Sequence, residues 1–320
     1  MSAATSSGKG KQLKIQRAIV TGGAGFIGSH IVDALHEQGA EVLVIDNLSS
    51  GKADNVPEGV RLETADVRDA EIPAIVKNFK ADSVFHLAAQ MDVRRSVEDP
   101  LFDNQVNVYG TVNLLGAALA AGAQRFVFAS TGGAIYGEVD QIPTPETVPA
   151  QPIAPYGISK LCAERYVHYY NDNGLPGTVC RFGNVYGPRQ DPHGEAGVVA
   201  IFGQRLLDGE PCTIFGDGEQ VRDYVHVSDV VRACLAAVDA PGGTFNIGTG
   251  VGTSVNRLYE ILAEAAGVSA SPKYAEARKG ELQTSIVDPS LAEQKLGWKS
   301  KVTVEEGLPA YIQYLREAEG

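Results

Sequence analysis

A tyrosine and a lysine four residues apart open an amphipathic segment near the middle of the chain. Tyr156 and Lys160 lie in the run APYGISKLCAERY, where helical geometry places residues at this spacing on one face. A free phenol has a pKa of about 10, and a neighbouring ammonium favours its ionised form. The pair could act as a general base with its activating cation, although ordinary amphipathic helices also contain such pairs by chance.

Two hydroxyl side chains end a β-branched run shortly before this pair. Ser130 and Thr131 close the run RFVFAST, and Gly132, Gly133 and Ala134 follow them without an acid or a base. A strand end that exposes hydroxyls in this way is typical of an active site on an α/β sheet. The two glycines therefore limit which reactions the site can catalyse.

A glycine-rich turn follows the first predicted strand. In IVTGGAGFIGSH, Gly22, Gly25 and Gly28 recur at three-residue spacing, and Gly23 completes G-x-G-x-x-G. Such a turn lets backbone N–H groups and a helix N-terminus approach a pyrophosphate. The second strand ends in Asp46, 18 positions after Gly28, where a carboxylate accepts hydrogen bonds from an adenosine ribose and repels a 2′-phosphate. The pattern predicts a dinucleotide site that prefers NAD over NADP, and a bound nicotinamide would add positive charge near Tyr156.

Short β-branched runs alternate with longer amphipathic segments in the first part of the chain. The runs are RAIV, EVLVID, RLETAD, DSVFHLAA, RFVFAS and TVCRFG, and the predicted helices include 26–38, 101–121 and 156–171. This alternation predicts an α/β fold, a doubly wound parallel (Rossmann) sheet with helices on both faces. Ligands of such sheets bind beyond the carboxyl ends of the strands.

Glycine- and proline-rich loops break this rhythm after about residue 180. They include YGPRQDPHGEAG and FGDGEQVRDY, and GTFNIG between later segments could return as another strand. We expect an NAD-binding domain at 15–180 and a smaller substrate-binding lobe at 181–320, interleaved rather than joined by a linker.

Composition excludes several classes of partner. The chain has 320 residues, 44% of them hydrophobic, and a formal net charge of -12, which argues against nucleic acid and anionic membranes as partners. No run approaches the length of a membrane span, and the polar first fourteen residues lack a signal-peptide core. The four cysteines show no metal-ligand spacing. We expect a cytoplasmic protein without a structural metal, and a small-molecule substrate.

Together these motifs resemble the extended short-chain dehydrogenase/reductase family. The resemblance rests on the turn Thr21–Gly28, the Asp46-Asn47 pair, HLAA at 86–89 and the Tyr156/Lys160 pair. Farther along, RFGNVYGPRQ, VRDYVHVSD and RKGEL resemble the substrate lobe of the nucleotide-sugar members, most closely the UDP-glucose 4-epimerase branch. The resemblance covers nearly the whole chain after the first fourteen residues.

The resemblance implies roles for matched positions. Tyr156 would be the base, Lys160 would hold the nicotinamide ribose, and Thr131 or Ser130 would serve as the second catalytic hydroxyl. The implied NAD contacts are Gly22, Gly25, Phe26, Ile27, Gly28, Asp46, Asn47, Asp66, Val67, Leu87, Ala88, Ala89, Asn107, Tyr156 and Lys160. Among these, Asp66 and Val67 would meet the adenine. The implied substrate contacts are Asn184, Val198, Arg222, Arg278, Glu281 and Ser285, with the two arginines and Asn184 at the nucleoside diphosphate and Glu281 at its ribose.

The glycine pair after the two hydroxyls separates reaction classes within this family. Dehydratases carry an Asp-Glu pair directly after the hydroxyls, because expelling water needs a further acid and base. A 4-epimerase needs neither. Many epimerases have their catalytic serine where this chain has Gly132, so the role falls to Thr131 or Ser130, of which we favour Thr131.

The resemblance therefore implies an NAD-dependent 4-epimerase that interconverts UDP-glucose and UDP-galactose through a 4-keto intermediate. The alternatives are a UDP-glucuronate 4-epimerase, a dehydratase or decarboxylase of the same family, and a non-catalytic NAD-binding regulator. Ser285 stands where glucose-restricted relatives carry a bulky tyrosine, which implies room for the N-acetylated pair. By analogy, helices 101–121 and 156–171 would form a homodimer. His86 and His226, each on an apolar run, are expected to be hydrogen-bonded structural residues.

Overall fold

Strands and helices alternate along the chain as the hydrophobic runs predict. The computed structural model describes residues 15–192, 197–240, 242–278 and 282–319. The strands are β1 Arg17–Thr21, β2 Glu41–Asp46, β3 Arg61–Thr64, β4 Ser83–His86, β5 Arg125–Thr131, β6 Gly177–Phe182, β7 Asn184–Tyr186, β8 Thr213–Phe215, β9 Val221–His226, β10 Gly243–Ile247, β11 Gly252–Ser254, β12 Lys273–Ala275 and β13 Thr284–Ser285.

The helices cover the connections between these strands. They are α1 Phe26–Glu37, α2 Ile72–Phe79, α3 Val93–Glu98, α4 Pro100–Asn104, α5 Gly110–Ala121, α6 Pro155–Asp172, α7 Val198–Leu207, α8 Val227–Ala237, α9 Val255–Ala266, α10 Ser290–Leu296 and α11 Val304–Glu319, with a 3₁₀ turn at Ala53–Asn55. A π-helical turn at Gln105–Tyr109 joins α4 to α5, so the helix predicted at 101–121 is continuous but widened in its middle. No helix in the described ranges is long and apolar enough to cross a membrane.

The main sheet is parallel and doubly wound. Its seven strands lie in the order β10-β6-β5-β4-β1-β2-β3, and every neighbouring pair runs parallel. The strand order reverses at β1, which lies between β2 and β4, and a crevice for ligands forms at such a reversal. The predicted fold class is confirmed, and GTFNIG does return as the edge strand β10.

Helices cover both faces of this sheet. On one face α1 and α8 bury residues such as Ile31, Leu35 and Val230 against the strands, joined by Trp298. On the other face α2, α5 and α6 bury residues such as Val76 and Leu114. Buried strands between two helical layers explain why the strand sequences read as nearly continuous apolar runs.

The second half of the chain builds a smaller lobe and also returns to the first. Strand β9 pairs with β7, β11 and β13, strand β8 pairs with β12, and α7, α9 and α11 enclose a core around Phe202, Leu258 and Tyr311. Helix α8 and strand β10 lie against the main sheet, and β6 runs across position 180. The second half of the chain therefore contributes to the main sheet as well as to the short strands, and the division into domains at 15–180 and 181–320 stays a prediction.

Candidate active site

The site forms where four strands of the main sheet end together. In register, Thr21 at the end of β1 pairs with His86 at the end of β4, and Thr131 at the end of β5 pairs with Phe182 at the end of β6. Parallel strands bring the loops that follow them to one edge of the sheet. The glycine-rich turn, the loop after His86 and the hydroxyl pair thus become neighbours.

The glycine-rich turn packs so closely that side chains cannot be added to it. A Cβ at Gly28 would lie 2.1 Å from the carbonyl oxygen of Gly22, and a Cβ at Gly22 would lie 2.7 Å from the backbone nitrogen of Ala88. Gly22 also has a φ of +69°, a conformation that glycine tolerates best. Helix α1 begins after Gly25 without a side-chain cap or an acidic residue in its first turn, so its N-terminal N–H groups suit a pyrophosphate.

Asp46 ties this turn to the end of β2. Its Oδ2 accepts a hydrogen bond from the backbone N–H of Ala24 at 3.0 Å, and its Oδ1 accepts one from Leu48 at 2.8 Å. Each carboxylate oxygen has a further lone pair, so the buried group can still accept bonds from ribose hydroxyls. The position and chemistry of Asp46 fit the predicted preference for NAD.

The predicted adenine contacts lie beside Asp46 in a network of their own. Asn47 Nδ2 donates to Asp66 Oδ2 at 2.8 Å, and Arg68 Nε donates to Asp66 Oδ1 at 2.8 Å. The Arg68 hydrogen bond, despite partial burial, lowers the pKa of Asp66 to about 2. Val67 is buried against Gly110. The segment 66–67 is therefore held by the ion pair of Asp66 with Arg68 and by the apolar contact of Val67.

The loop after β4 borders the glycine-rich turn through its backbone. Leu87 and Ala88 contact the glycine-rich turn through their backbone, and Ala89 follows them. Asn107, predicted as a cofactor contact, is buried: its Oδ1 accepts from the backbone N–H of Gln90 at 2.9 Å and its Nδ2 donates to Gln90 O at 2.9 Å. The structure gives the Asn107 side chain these internal bonds, and a direct contact with NAD stays a prediction.

Helix α6 carries Tyr156 and Lys160 in its first two turns. Pro155 occupies the first helical position, where its missing N–H costs no hydrogen bond. Lys160 is buried, with its Nζ 4.2 Å from the centre of the Phe128 ring, a cation–π contact. Burial lowers the pKa of the Lys160 ammonium to about 8, partly offset by the charges of Glu164 and Asp103.

The phenol of Tyr156 resists ionisation in the polypeptide by itself. Burial raises the pKa of the phenol well above its usual range, and the negative charge of Asp103 raises it further. The expectation that Lys160 and a bound nicotinamide together favour the phenolate stays a prediction, because desolvation disfavours the charged form of this phenol before a cofactor binds. A further positive charge must enter the site to lower this pKa.

The two candidate hydroxyls have different surroundings. Ser130 is buried, and its Oγ donates to Glu164 Oε1 at 2.5 Å; Glu164 is itself held by Arg181 at 2.6 Å. Thr131 is half-buried, and its Oγ1 accepts a hydrogen bond from the backbone N–H of Ala134 at 3.1 Å. Among the described residues its O–H has no acceptor and can donate to a ligand, and the choice of Thr131 over Ser130 stays a prediction.

Gly132 explains the departure from the epimerase serine. Its backbone N–H donates to Phe182 O at 2.6 Å. A Cβ at Gly132 would lie 2.7 Å from Val287 Cγ1 and 3.1 Å from that same carbonyl oxygen. A serine there would have to displace Val287 or the end of β6, so the packing around this position suits glycine.

The predicted substrate residues lie along the short strands of the smaller lobe. Asn184 begins β7, and its Oδ1 would lie 3.5 Å from a Cβ at Gly133, which brings it to the hydroxyl loop. Ser285 on β13 pairs with Arg222 on β9 and lines a small cavity together with the glycine pair, Gly132 and Gly133. The structure thus joins Ser285 to the site.

The remaining substrate residues are less closely grouped. Val198 begins α7. Arg222 donates from Nη1 to Val221 O at 2.9 Å, and the Arg278 guanidinium lies 4.0 Å over the Phe215 ring in an exposed position. Glu281 lies outside the described residues.

The two histidines are structural, as expected. His86 is buried, with Nδ1 2.7 Å from Thr21 Oγ1 and Nε2 2.9 Å from Thr111 Oγ1, and burial lowers its pKa to about 3. His226 caps α8, with Nδ1 2.8 Å from Ser228 Oγ. In the described parts of the chain no group of three or more His, Cys, Asp or Glu residues is arranged to hold a metal ion.

Sequence reasoning missed three buried charged residues near the site. Two of them have a signal in the sequence: Glu164 lies one turn after Lys160 on the same helical face, and Arg181 is a charged residue within the apolar run TVCRF. Asp103, on α4, is 1% exposed. Its position in an ordinary helical segment gives no sequence signal, because it is buried by elements distant along the chain, among them α6 and the loop that carries Gln90.

Comparison with known proteins gives consistent matches. Residues 18–248 match the model of the NAD dependent epimerase/dehydratase family. A UDP-glucose 4-epimerase from Mycolicibacterium smegmatis is 44% identical over 308 residues, which cover 94% of this chain and 98% of that protein. The solved UDP-glucose 4-epimerase from Thermotoga maritima with UDP-glucose is 49% identical, with a TM-score of 0.93 over 95% of this chain and 100% of that one.

A second solved structure comes from an enzyme of the N-acetylated series. The UDP-N-acetylglucosamine 4-epimerase from Methanobrevibacter ruminantium M1, in complex with UDP-N-acetylmuramic acid, is 35% identical to this chain. Its TM-score is 0.90 over 96% of this chain and 100% of that one.

Proposed function

The chain belongs to the NAD dependent epimerase/dehydratase family, and we propose that it is a UDP-glucose 4-epimerase that interconverts UDP-glucose and UDP-galactose. One observation carries the choice of reaction. The half-buried Thr131 hydroxyl lies at the strand end beside the Tyr156 and Lys160 helix, and the two positions that follow are Gly132 and Gly133, which supply no further acid or base. Relatives and solved structures with the same activity support this reading.

The cofactor is NAD, and the site has the features to hold it. The crowded turn from Gly22 to Gly28 and the N-terminus of α1 receive the pyrophosphate, and Asp46 receives the adenosine ribose. When bound there, NAD would supply the hydride acceptor for carbon 4 of the sugar, and its reduced form the hydride donor to the opposite face. We assign Tyr156 and Lys160 to the nicotinamide side of the site, because both lie at the far end of the same strand-end crevice.

The side chains of the protein handle one proton. As the sugar is oxidised, Tyr156 Oη takes the proton of the 4-hydroxyl; when the flat 4-keto sugar has turned over, the same oxygen returns it. Thr131 Oγ1 donates a hydrogen bond to the sugar oxygen at carbon 4. The charge of the Lys160 ammonium and of the nicotinamide offsets the burial that raises the pKa of Tyr156.

The residues after the hydroxyls disfavour a dehydratase or decarboxylase. Those reactions need an added acid and base beside the sugar, and neither Gly132 nor Gly133 supplies one. A non-catalytic NAD-binding regulator would need no buried lysine one turn from a tyrosine. A UDP-glucuronate 4-epimerase uses the same machinery, and the substrate panel below distinguishes it.

A homodimer is part of this proposal. Leu101, Tyr109, Ile158 and Tyr169 are between 54% and 76% exposed, and they lie on α4, the π-helical turn and α6. Apolar side chains on two neighbouring helices suit burial against a second copy of the chain. Light scattering of the purified protein should give twice the chain mass, and Tyr169→Glu should shift it toward the monomer. A cytoplasmic location belongs to the proposal too, since all four cysteines are free thiols.

The test is turnover without added cofactor. Purified protein is offered UDP-glucose, UDP-galactose, UDP-N-acetylglucosamine and UDP-glucuronate separately, and the 4-epimers are separated by chromatography. We expect interconversion of the first two with no net release of NADH, because the reducing equivalent returns to the sugar in each turnover. Steady release of free NADH in step with product would show a dehydrogenase, and preferred turnover of UDP-glucuronate would move the substrate assignment to that branch.

A further inference from the structure

Four buried polar side chains form a cluster behind the tyrosine and the lysine. Gln90, Asp103, Asn107 and Ser159, here called the Gln90 cluster, are each no more than 7% exposed. They come from the loop after β4, from α4, from the π-helical turn and from α6. The Gln90 cluster therefore joins the elements that build the catalytic end of the site.

Hydrogen bonds run through this cluster to the backbone of Tyr156. Asn107 Nδ2 contacts both Asp103 Oδ1 at 3.0 Å and Ser159 Oγ at 3.2 Å. Ser159 Oγ donates to Tyr156 O at 2.9 Å. Gln90 Nε2 donates to Asp103 Oδ1 at 2.9 Å. The π-helical turn, which often marks a functional position, places Asn107 where it can connect Asp103 to α6.

Asp103 differs from the other buried acid near the site. Glu164 is matched by Arg181, whose Nε and Nη2 donate to its two carboxylate oxygens at 2.9 and 2.6 Å. Within the described residues, no ion pair involves Asp103, and its Oδ2 is buried without a hydrogen-bond partner. Asp103 is thus a buried acid that no arginine neutralises.

Lys160 is the complementary case, a buried base without a carboxylate within ion-pair distance among the described residues. The charged and titratable groups that face it are His86 from the sheet, Tyr156 and Glu164 from its own helix, and Asp103 from α4, with the Phe128 ring beneath its Nζ. His86 is uncharged at neutral pH because its pKa is low, and Arg181 already balances Glu164. Glu164 raises the Lys160 pKa more than Asp103 does, but it is paired with Arg181, so among the described residues Asp103 is the carboxylate near the Lys160 ammonium that no ion pair balances.

We propose that Asp103 is a positioning residue that provides the counter-charge for the Lys160 ammonium and thereby sets the pH range over which the Tyr156/Lys160 pair works. The kinetic part of this inference rests on the proposed 4-epimerase function. Asp103 acts through charge and through the Gln90 cluster, and it has no contact of its own with the reacting atoms in this assignment.

The direction of the pH effect follows from the sign of the charge. The carboxylate of Asp103 raises the pKa of both Lys160 and Tyr156. The working form carries a Tyr156 phenolate and a Lys160 ammonium, so the Tyr156 pKa sets the acid limb of the rate profile and the Lys160 pKa sets the alkaline limb. Removing the charge lowers both values, and the whole bell-shaped profile moves to lower pH.

The kinetic test uses Asp103→Asn, which keeps shape and one acceptor but removes the charge. We expect both limbs of log(kcat/KM) for UDP-galactose to move down by about one pH unit, the lower end of the shift that a nearby charge causes. Ser159→Ala is the control that breaks the Gln90 cluster without changing charge, and it should lower kcat while the limbs stay in place. Asp99→Asn removes an exposed carboxylate at the start of α4 and should leave the profile as in wild type.

A second measurement needs no substrate. Lysine labelled with ¹⁵N at Nζ gives NMR signals for buried ammonium groups, and Lys160→Met assigns the Lys160 signal by its loss. The signal should titrate near pH 8 in wild type and about one unit lower in Asp103→Asn. Unchanged titration of the Lys160 signal, or rate profiles whose two limbs lie at the same pH as in wild type, would overturn the proposal. A wild type without epimerase activity but with the shifted titration would instead refute the proposed function alone.

Discussion

The cofactor end and the substrate lobe of this protein are built in different ways. At the cofactor end, backbone packs directly against backbone: a Cβ at Gly28 would lie 2.1 Å from Gly22 O, and Asp46 holds the turn through the backbone N–H of Ala24. In the smaller lobe, the candidate contacts are side chains on short strands, such as Ser285 on the two-residue β13, or exposed like Arg278.

This difference has a consequence for how each region responds to change. Closely packed backbone cannot yield to an added atom, so substitutions at the cofactor end should remove function altogether. Side chains at the edge of a short strand can change size while the strand stays paired. Substitutions there should change which sugar is accepted, with little effect on folding.

The largest effect is expected at the glycine-rich turn. In Gly28→Ala the new methyl group meets the Gly22 carbonyl oxygen, and neither backbone segment can move without opening the turn. The purified variant should retain no NAD, as measured by release on denaturation, and show no epimerase activity. Gly116→Ala is the matched control, because a Cβ there meets only Tyr170 Oη at 3.4 Å. Full NAD content in Gly28→Ala would contradict the view that the cofactor end tolerates no added atom.

Tyr156→Phe separates chemistry from binding at the cofactor end. The ring still packs in α6, but the proton acceptor is gone, so kcat should fall by about 10²-fold or more, the usual size of an acid–base contribution. NAD content and melting temperature should stay near wild type. A variant that keeps most of its turnover would show that another group takes the 4-hydroxyl proton.

The two neighbouring hydroxyls should respond differently. Thr131→Val removes the half-buried hydroxyl and should lower kcat by about tenfold or more with the fold intact. Ser130→Ala removes a buried bond to Glu164, and it should cost about 1 kcal/mol of unfolding free energy with a smaller effect on kcat. Kinetics and thermal unfolding of both variants check this. A nearly wild-type Thr131→Val beside an inactive Ser130→Ala would reverse the assignment.

The smallest effect on folding and the most selective effect on substrate are expected at Ser285. We expect wild type to accept the UDP-N-acetylglucosamine and UDP-N-acetylgalactosamine pair as well as the unsubstituted pair, because Ser285, which lines the cavity beside Gly132 and Gly133, is much smaller than a tyrosine. Ser285→Tyr fills that space and should lower kcat/KM for the acetylated pair by at least about tenfold. Ser285→Ala should keep both activities. A wild type inactive on the acetylated pair would mean that neighbouring residues already fill the gap.

Much of the architecture follows from sequence because it depends on local spacing. The alternation of apolar runs and amphipathic segments specifies the parallel sheet, even to the return of GTFNIG as β10. The glycine spacing, Asp46 at the end of β2 and the Tyr156/Lys160 pair are each encoded within a single turn or a single strand–helix unit, so they can be identified without tertiary contacts.

Only the tertiary structure decided which of these groups are available and how they ionise. Ser130 and Thr131 are neighbours in sequence, but Glu164, 34 positions away, binds one of them and leaves the other open. Asp103 has no signal in its helix, and the packing of α4 against α6 buries its charge near Lys160. The pKa of Tyr156 rises because the phenol is desolvated in the folded protein and because the Asp103 charge lies near it. Burial and charge coupling arise between elements that are distant along the chain, because desolvation and Coulomb interactions depend on distances in space.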